Sequence, residues 1–237
     1  MQATVWPRLT EAFGKQARIW NQEERDKTPG VTDKIIDYVI SYADKPSVAR
    51  KACRTFVGID GDPEFGWTIL GSLDETRVAT IREVAEVLQL SGCEVDSYSL
   101  AKTIKEFLKA TWEAFDTTSL DRGPSSLDKD DLSSYMNTIT AILPDSAITY
   151  LKYLWSQTRK APYDIYADRI ICRLGLSKPT DAIFAKKQKL YDLIENKKPM
   201  IRHKKLVMLG KRVCLSKDPR CNVCPLAAVC NYAKQMA

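Results

Sequence analysis

Apolar positions recur at helical spacing through nearly the whole chain. Leu100, Ile104, Phe107, Leu108, Thr111, Trp112 and Phe115 fall at i, i+4, i+7, i+8, i+11, i+12 and i+15, which predicts a helix of about four turns with one apolar stripe. Val78, Ile81, Val84, Ala85 and Leu88 predict a second. Thr32 is expected to cap a helix carrying Ile35, Ile36, Val39 and Ile40. Asp130 or Asp131 is expected to cap one carrying Tyr135, Ile139 and Ile142, and Thr180 one carrying Ile183, Phe184, Leu190, Leu193 and Ile194. Pro199 suits the first turn of a helix running toward Gly210. No alternating run of strand length appears. The expected fold is all-α.

Breaks in the pattern divide the chain. The polar stretch 116–130, with Arg122-Gly123-Pro124-Ser125-Ser126 at its centre, reads as an exposed loop within a helical domain. Residues 8–31 are charge-rich, end in the turn signal Thr28-Pro29-Gly30, and read as a loosely packed N-terminal arm. At 237 residues the chain has room for one large domain or two small ones. With 44% apolar and 28% charged residues, and no apolar run near the roughly 18 residues a membrane span needs, it reads as a soluble globular protein with no membrane partner. Met1 is followed by Gln2-Ala3-Thr4-Val5-Trp6 and no apolar leader, so a reducing compartment is expected.

Charge narrows the partner. The net charge of +6 is concentrated between Lys186 and Arg220, where only Asp192, Glu195 and Asp218 oppose twelve Lys and Arg residues. That balance suits a polyanion.

Seven cysteines are present, an odd number. Cys53, Cys93 and Cys172 stand apart and read as ordinary thiols, whereas Cys214-x6-Cys221-x2-Cys224-x5-Cys230 packs four into 17 residues. In a reducing compartment so dense a group reads as a metal ligand set rather than as disulfides. Structural zinc sites usually draw two CxxC pairs from separated segments, and here one pair is flanked by single cysteines. The spacing therefore favours an iron–sulfur centre and leaves zinc open.

These motifs together resemble a known family. The x6, x2, x5 cysteine spacing, preceded by Leu209-Gly210-Lys211-Arg212-Val213, is similar to the cluster loop of the endonuclease III branch of the helix-hairpin-helix DNA glycosylases. Asp164-Ile165-Tyr166-Ala167-Asp168-Arg169 resembles the family's catalytic Asp, four residues, then Arg. Leu143-Pro144-Asp145-Ser146-Ala147-Ile148-Thr149 stands where the family has its hairpin, Leu-Pro-Gly-x-Gly-x-(Lys or Ser). The resemblance covers residues 130–237 well and the first half only as generic helices.

The resemblance implies a two-lobed all-α fold with a C-terminal cluster loop, a [4Fe-4S] cluster on Cys214, Cys221, Cys224 and Cys230, and base excision from double-stranded DNA. Residues 60–160 would form a helical lobe with the hairpin, and 1–59 plus 161–237 the cluster lobe, leaving Asp164 at the cleft between them. Asp164 is the expected catalytic carboxylate, stabilising positive charge on the sugar and orienting water. Ser146, Ala147, Ile148, Arg169, Arg202, His203, Lys204, Lys205, Lys211 and Arg212 are the expected DNA contacts. Leu73 or Asp74 is a candidate wedge, and Tyr163 and Tyr166 candidates to stack on an extruded base. The expected assembly is a monomer, cytoplasmic and nucleoid-associated, or nuclear in a eukaryote.

Two departures from the family pattern matter. Asp145 and Ala147 replace the hairpin glycines whose bare backbone approaches a phosphate, and Asp145 is expected instead to cap the following helix through the N–H of Ala147 or Ile148. Thr149 occupies the place of the lysine that attacks C1′ in lyase members, which implies monofunctional, water-based excision. Lys152, one turn on, is the fallback amine. The alternative function is a DNA-binding or redox-sensing protein that kept the cluster and lost the chemistry.

Overall fold

The structure is a computed structural model, and it describes residues 2–13, 30–44, 46–56, 70, 72–121, 123–194 and 199–236. Among the described residues the regular structure is helical, with no strand. The chain divides into two compact units, one made of Met1–Arg18 with Ser156–Ala237 and the other of Ile19–Trp155.

The continuous unit holds α2 (Val31–Ala43), α3 (Pro46–Phe56), α4 (Leu73–Val78), α5 (Ile81–Leu90), α6 (Ser97–Phe115), α7 (Lys129–Ile142) and α8 (Asp145–Leu154). The long helix predicted from the 100–115 stripe is α6. Asp96 caps it, its carboxylate accepting from the N–H of Tyr98 and Ser99 at 3.1 and 3.3 Å. Leu100, Ile104, Phe107 and Leu108 turn inward, α6 packs along α5 and α7, and α2 packs on α3 and α8. Thr111 and Tyr135 share a buried hydrogen bond of 3.1 Å across the α6–α7 seam.

Several caps differ from expectation. Gly30 is the N-cap of α2, so Thr32 lies inside the helix, where its hydroxyl donates to the Thr118 carbonyl and accepts from the Leu120 N–H. Asp128, not Asp130 or Asp131, caps α7, accepting from the Asp131 N–H at 2.8 Å. Val78 ends the separate helix α4 and is exposed, so the second predicted stripe begins only at α5.

The discontinuous unit holds α1 (Gln2–Phe13), α9 (Ile165–Arg173), α10 (Ile183–Ile194), α11 (Pro199–Arg212) and α12 (Asn231–Met236), with single 3-10 turns at Cys221–Val223 and Ala227–Val229. Helix α9 packs against α11 and α10, and α1 lies on α11. Val5, Leu9, Ile171, Leu190, Leu206 and Leu226 meet in its core. Residues 8–13 of the expected arm are the second half of a helix anchored by one apolar edge, with Leu9 and Phe13 in the core and the Trp6 indole N–H donating to the Leu193 carbonyl at 2.8 Å; residues 14–29 lie outside the described residues.

The expected division at residue 60 is corrected by the same packing. Helices α2 and α3, assigned from sequence to the cluster lobe, put Ile35, Ile36, Ile40, Ala52 and Phe56 into the continuous unit, because both are amphipathic and their apolar faces meet α8, α5 and α4.

Candidate active site and cluster loop

Asp164 starts α9. One carboxylate oxygen, Oδ1, accepts from the backbone N–H groups of Tyr166 and Ala167 at 2.9 and 2.8 Å, the geometry of a helix N-cap. The other, Oδ2, lies 2.8 Å from Nε2 of His203 on α11. The Asp164 side chain is 5% exposed and that of His203 fully buried. Burial by itself would push this carboxyl up, yet the hydrogen bond and charge of His203 and the two backbone donors outweigh it and hold the carboxyl below its ordinary range. The result is a buried, fixed, ionised carboxylate.

Neighbouring side chains form a second layer. Asp168 receives the Tyr163 hydroxyl and pairs with Lys186 at 3.0 Å. Burial, followed by the Asp168 hydrogen bond and charge, pushes the Tyr163 hydroxyl well above its ordinary value, so it remains a donor. Tyr166 packs against Gly210, where a Cβ would come within 2.7 Å of its ring. That missing side chain lets α9 and α11 approach closely.

Most of the expected DNA contacts are committed elsewhere. Arg169 donates to the carbonyls of Gly210 and Cys214 at 2.9 and 2.8 Å, closing the C-terminal end of α11, where the helix dipole favours a cation. Arg202 donates to the Ile194 carbonyl and lies over the Trp6 ring at 4.8 Å. Lys204 and Lys205 are buried, and Lys205 donates to the Thr10 hydroxyl at 2.7 Å. His203 meets Asp164 instead of a phosphate. Lys211 is half-buried and Arg212 exposed at the last turn of α11. The physical reason is shared: α11 has core contacts around most of its surface, so its cations lie within reach of carbonyls and side chains before they reach solvent.

The hairpin is formed, with α7 ending at Leu143 and α8 beginning after Pro144. Ser146, Ala147 and Ile148 are buried, and the N–H groups of Ala147 and Ile148 bond the Pro144 carbonyl at 2.8 and 3.2 Å. Asp145 therefore makes no cap hydrogen bond; it sits exposed in the first turn of α8, which corrects the capping role expected for it. The Thr149 hydroxyl donates to the Asp145 carbonyl at 2.9 Å, and Lys152 is exposed. Leu73 and Asp74 open α4 behind the Ser72 cap.

Solved structures of 14% identity superpose on the whole chain. Two endonuclease III–DNA complexes, one a trapped covalent intermediate with an estranged adenine and the other non-covalent, match 100% of this chain and 98% of theirs with a TM-score of 0.61. This chain has the endonuclease III fold. A thermostable thymine-DNA glycosylase matches at 0.54 over 98% of this chain and 99% of its own, again at 14% identity. In sequence, 69 residues are 32% identical to endonuclease III of Rickettsia prowazekii (strain Madrid E), a stretch of 29% of this chain that spans 32% of that protein. No family model matches the chain. The expected likeness to endonuclease III is borne out at the level of the fold.

Within that fold the C-terminal thiols are neighbours. Burial pushes the Cys224 thiol up, and Cys214, Cys230 and Cys221 around it push it further. Arg173 donates to Cys214 Sγ at 3.3 Å and to the carbonyls of Leu215 and Ser216 at 2.6 and 3.0 Å, and it stacks on Tyr232 at 4.6 Å. The Cys230 thiol donates back to the Arg173 carbonyl at 3.3 Å. Among the described residues no three His, Cys, Asp or Glu side chains converge as ligands of a single metal ion. Four adjoining thiols beside a guanidinium are a donor set suited to a soft, anionic metal centre.

Sequence reasoning missed Arg173 and the pairing role of His203. Arg173 was visible as the i+4 partner of Arg169 on one helical face. His203 had no such signal, because only the fold brings it to Asp164 from 39 residues away.

Proposed function

We propose that this chain is a DNA glycosylase that excises a damaged, mismatched or modified base from double-stranded DNA, acting as a monomer by hydrolysis of the N-glycosidic bond. The observation that carries the reading is Asp164: a carboxylate 5% exposed yet held ionised at a helix start. Cleavage of that bond develops positive charge on the sugar, and a preorganised negative group in a dry site stabilises such charge more than water does. Asp164 would also orient the attacking water.

Water is the preferred nucleophile because Thr149 stands where lyase relatives carry an amine, and its hydroxyl is already spent on the α8 backbone. Lys152 would be the amine of a lyase variant. Cys214, Cys221, Cys224 and Cys230 would hold a [4Fe-4S] cluster, which supplies no electron to hydrolysis and serves to fix the loop after α11. The last turn of α11, which carries Lys211 and Arg212, is the proposed DNA-facing surface.

The rival reading, a cluster protein that binds DNA without chemistry, draws on the hairpin. Its N–H groups are bonded to Pro144, and Asp145 puts an exposed negative charge where a phosphate would sit.

Duplexes carrying an oxidised pyrimidine, a G·T or G·U mismatch, or adenine opposite an oxidised guanine separate the two. Alkali-dependent strand cleavage of at least one, lost in Asp164→Asn with DNA affinity kept, is the expected result; no cleavage of any supports the rival. Cleavage without alkali, together with a borohydride-trapped adduct lost in Lys152→Ala, would show a lyase. Iron and acid-labile sulfide in equal amounts in the brown purified protein are expected, and zinc alone would overturn the cluster assignment.

A further inference from the structure

We propose that His203 is a positioning residue for excision, holding the Asp164 carboxylate ionised and immobile without touching the DNA. The proposal rests on the reading of Asp164 given above and deepens it.

Helix capping does not account for the pairing. Asp96 and Asp128 cap α6 and α7 from exposed positions with backbone N–H groups and, for Asp96, the Ser99 hydroxyl; neither cap carries a cation. At Asp164 the capping is done entirely by Oδ1, leaving Oδ2 for Nε2 of a histidine with no solvent exposure, 2.8 Å away. Burial at that depth works against the charged form, and the His203 contact adds to the two backbone donors in opposing that effect.

The helices around the pair fix its geometry. Two turns beyond His203, Gly210 receives the Tyr166 ring at a distance no Cβ would allow, and Arg169 grips the Gly210 carbonyl at 2.9 Å. Asp164 and His203 therefore sit on two helices locked at that contact. The other charged or titratable groups around them have their own engagements. Tyr163 donates to Asp168, which pairs with Lys186, and Lys187 of α10 lies over the Tyr163 ring. Tyr166 stacks under Arg169, and on α11 Lys205 is bonded to Thr10 of α1, with Lys204 buried beside it. His203 is the side chain in hydrogen-bond contact with Oδ2 of the carboxylate.

The sign follows directly. His203 lowers the Asp164 carboxyl, so removing its donor raises it, and the carboxylate then protonates at higher pH. Full-length protein labelled at the aspartate carboxyl carbons, with Asp164→Asn to identify the resonance, reads this without any DNA. His203→Phe is expected to move the Asp164 titration upward by about one pH unit or more. His203→Gln, which keeps a donor without charge, should fall between and cover the case in which the Phe variant does not fold. On the duplex found to be cleaved, the acid limb of single-turnover excision should move by the same amount, with DNA affinity unchanged. An unmoved titration in both variants, with excision still lost in Asp164→Asn, overturns this inference alone. Excision retained in Asp164→Asn overturns the Asp164 reading and this inference with it.

Discussion

The two units differ in where many of their cations lie. In the continuous unit Arg82 with Glu86, Lys102 with Glu106 and Lys109 with Glu113 form outward single-turn pairs at 2.9 to 3.7 Å, while Lys105 donates to the Arg77 and Ala79 carbonyls. In the discontinuous unit Arg169, Arg173 and Arg202 end on backbone carbonyls, and Lys186, Lys204 and Lys205 are buried. In the discontinuous unit the C-terminal end of α11 and the cysteine loop after it present carbonyls that Arg169 and Arg173 reach. A basic stretch of sequence therefore measures internal wiring as well as nucleic-acid affinity.

The widest test of that contrast removes the thiol ligands. Cys224→Ala, or removal of bound metal by chelation, is expected to destabilise the discontinuous unit by more than about 4 kcal/mol, the class of effect seen when a metal site is lost. Hydrogen exchange should then show α9, α11 and α12 losing protection while α5 and α6 keep theirs. Equal loss in both units would mean that the cysteine loop supports the whole chain and that the contrast is false.

Next in size is the converse experiment. Phe107 is 1% exposed on α6, and Phe107→Ala should cost about 3–5 kcal/mol through lost burial and the cavity left behind. Denaturant melts of the continuous unit should register it, with iron content unchanged.

How far the sequence reveals these arrangements depends on the kind of force involved. Helix α6 was legible because one apolar stripe decides it, and the grouping of the C-terminal thiols because they are close in sequence. Asp164 stood out in sequence only as part of a motif. Its partner was not, since the His203 contact depends on α9 and α11 meeting at Gly210, a packing event with no periodic signature. The basic residues of α11 were misread for a related reason: composition counts a lysine equally whether it faces solvent or a threonine hydroxyl. Caps shifted by two or three residues, as at Asp128, because several Asp and Thr residues competed for each helix start and only the local backbone decides among them.

Gly210→Ala probes the meeting point at intermediate size. The added Cβ would lie 2.7 and 2.9 Å from Tyr166 atoms, one of them its own Cβ, so the helices must separate. Overpacking of this kind costs about 1–3 kcal/mol. Because the same separation lengthens the His203 contact, the Asp164 titration should move upward together with the loss of stability. A stability loss with no movement of the titration would show that Gly210 serves packing alone.

The smallest expected effect belongs to the outward pairs. Glu113 lies 3.6 Å from Lys109, with side chains 61% and 71% exposed. An exposed pair one turn apart is worth about 0.3–0.5 kcal/mol, and salt screens it further. Glu113→Gln should therefore shift a melt by no more than that and by less still in high salt. Arg173→Gln removes a cation from two carbonyls and a thiol in the other unit, and it should cost about 1.5–3 kcal/mol, the range for hydrogen bonds to charged groups, with weak dependence on salt. Salt dependence is the sharper readout of the two, since it responds to whether a charge lies against solvent or against the protein's own backbone.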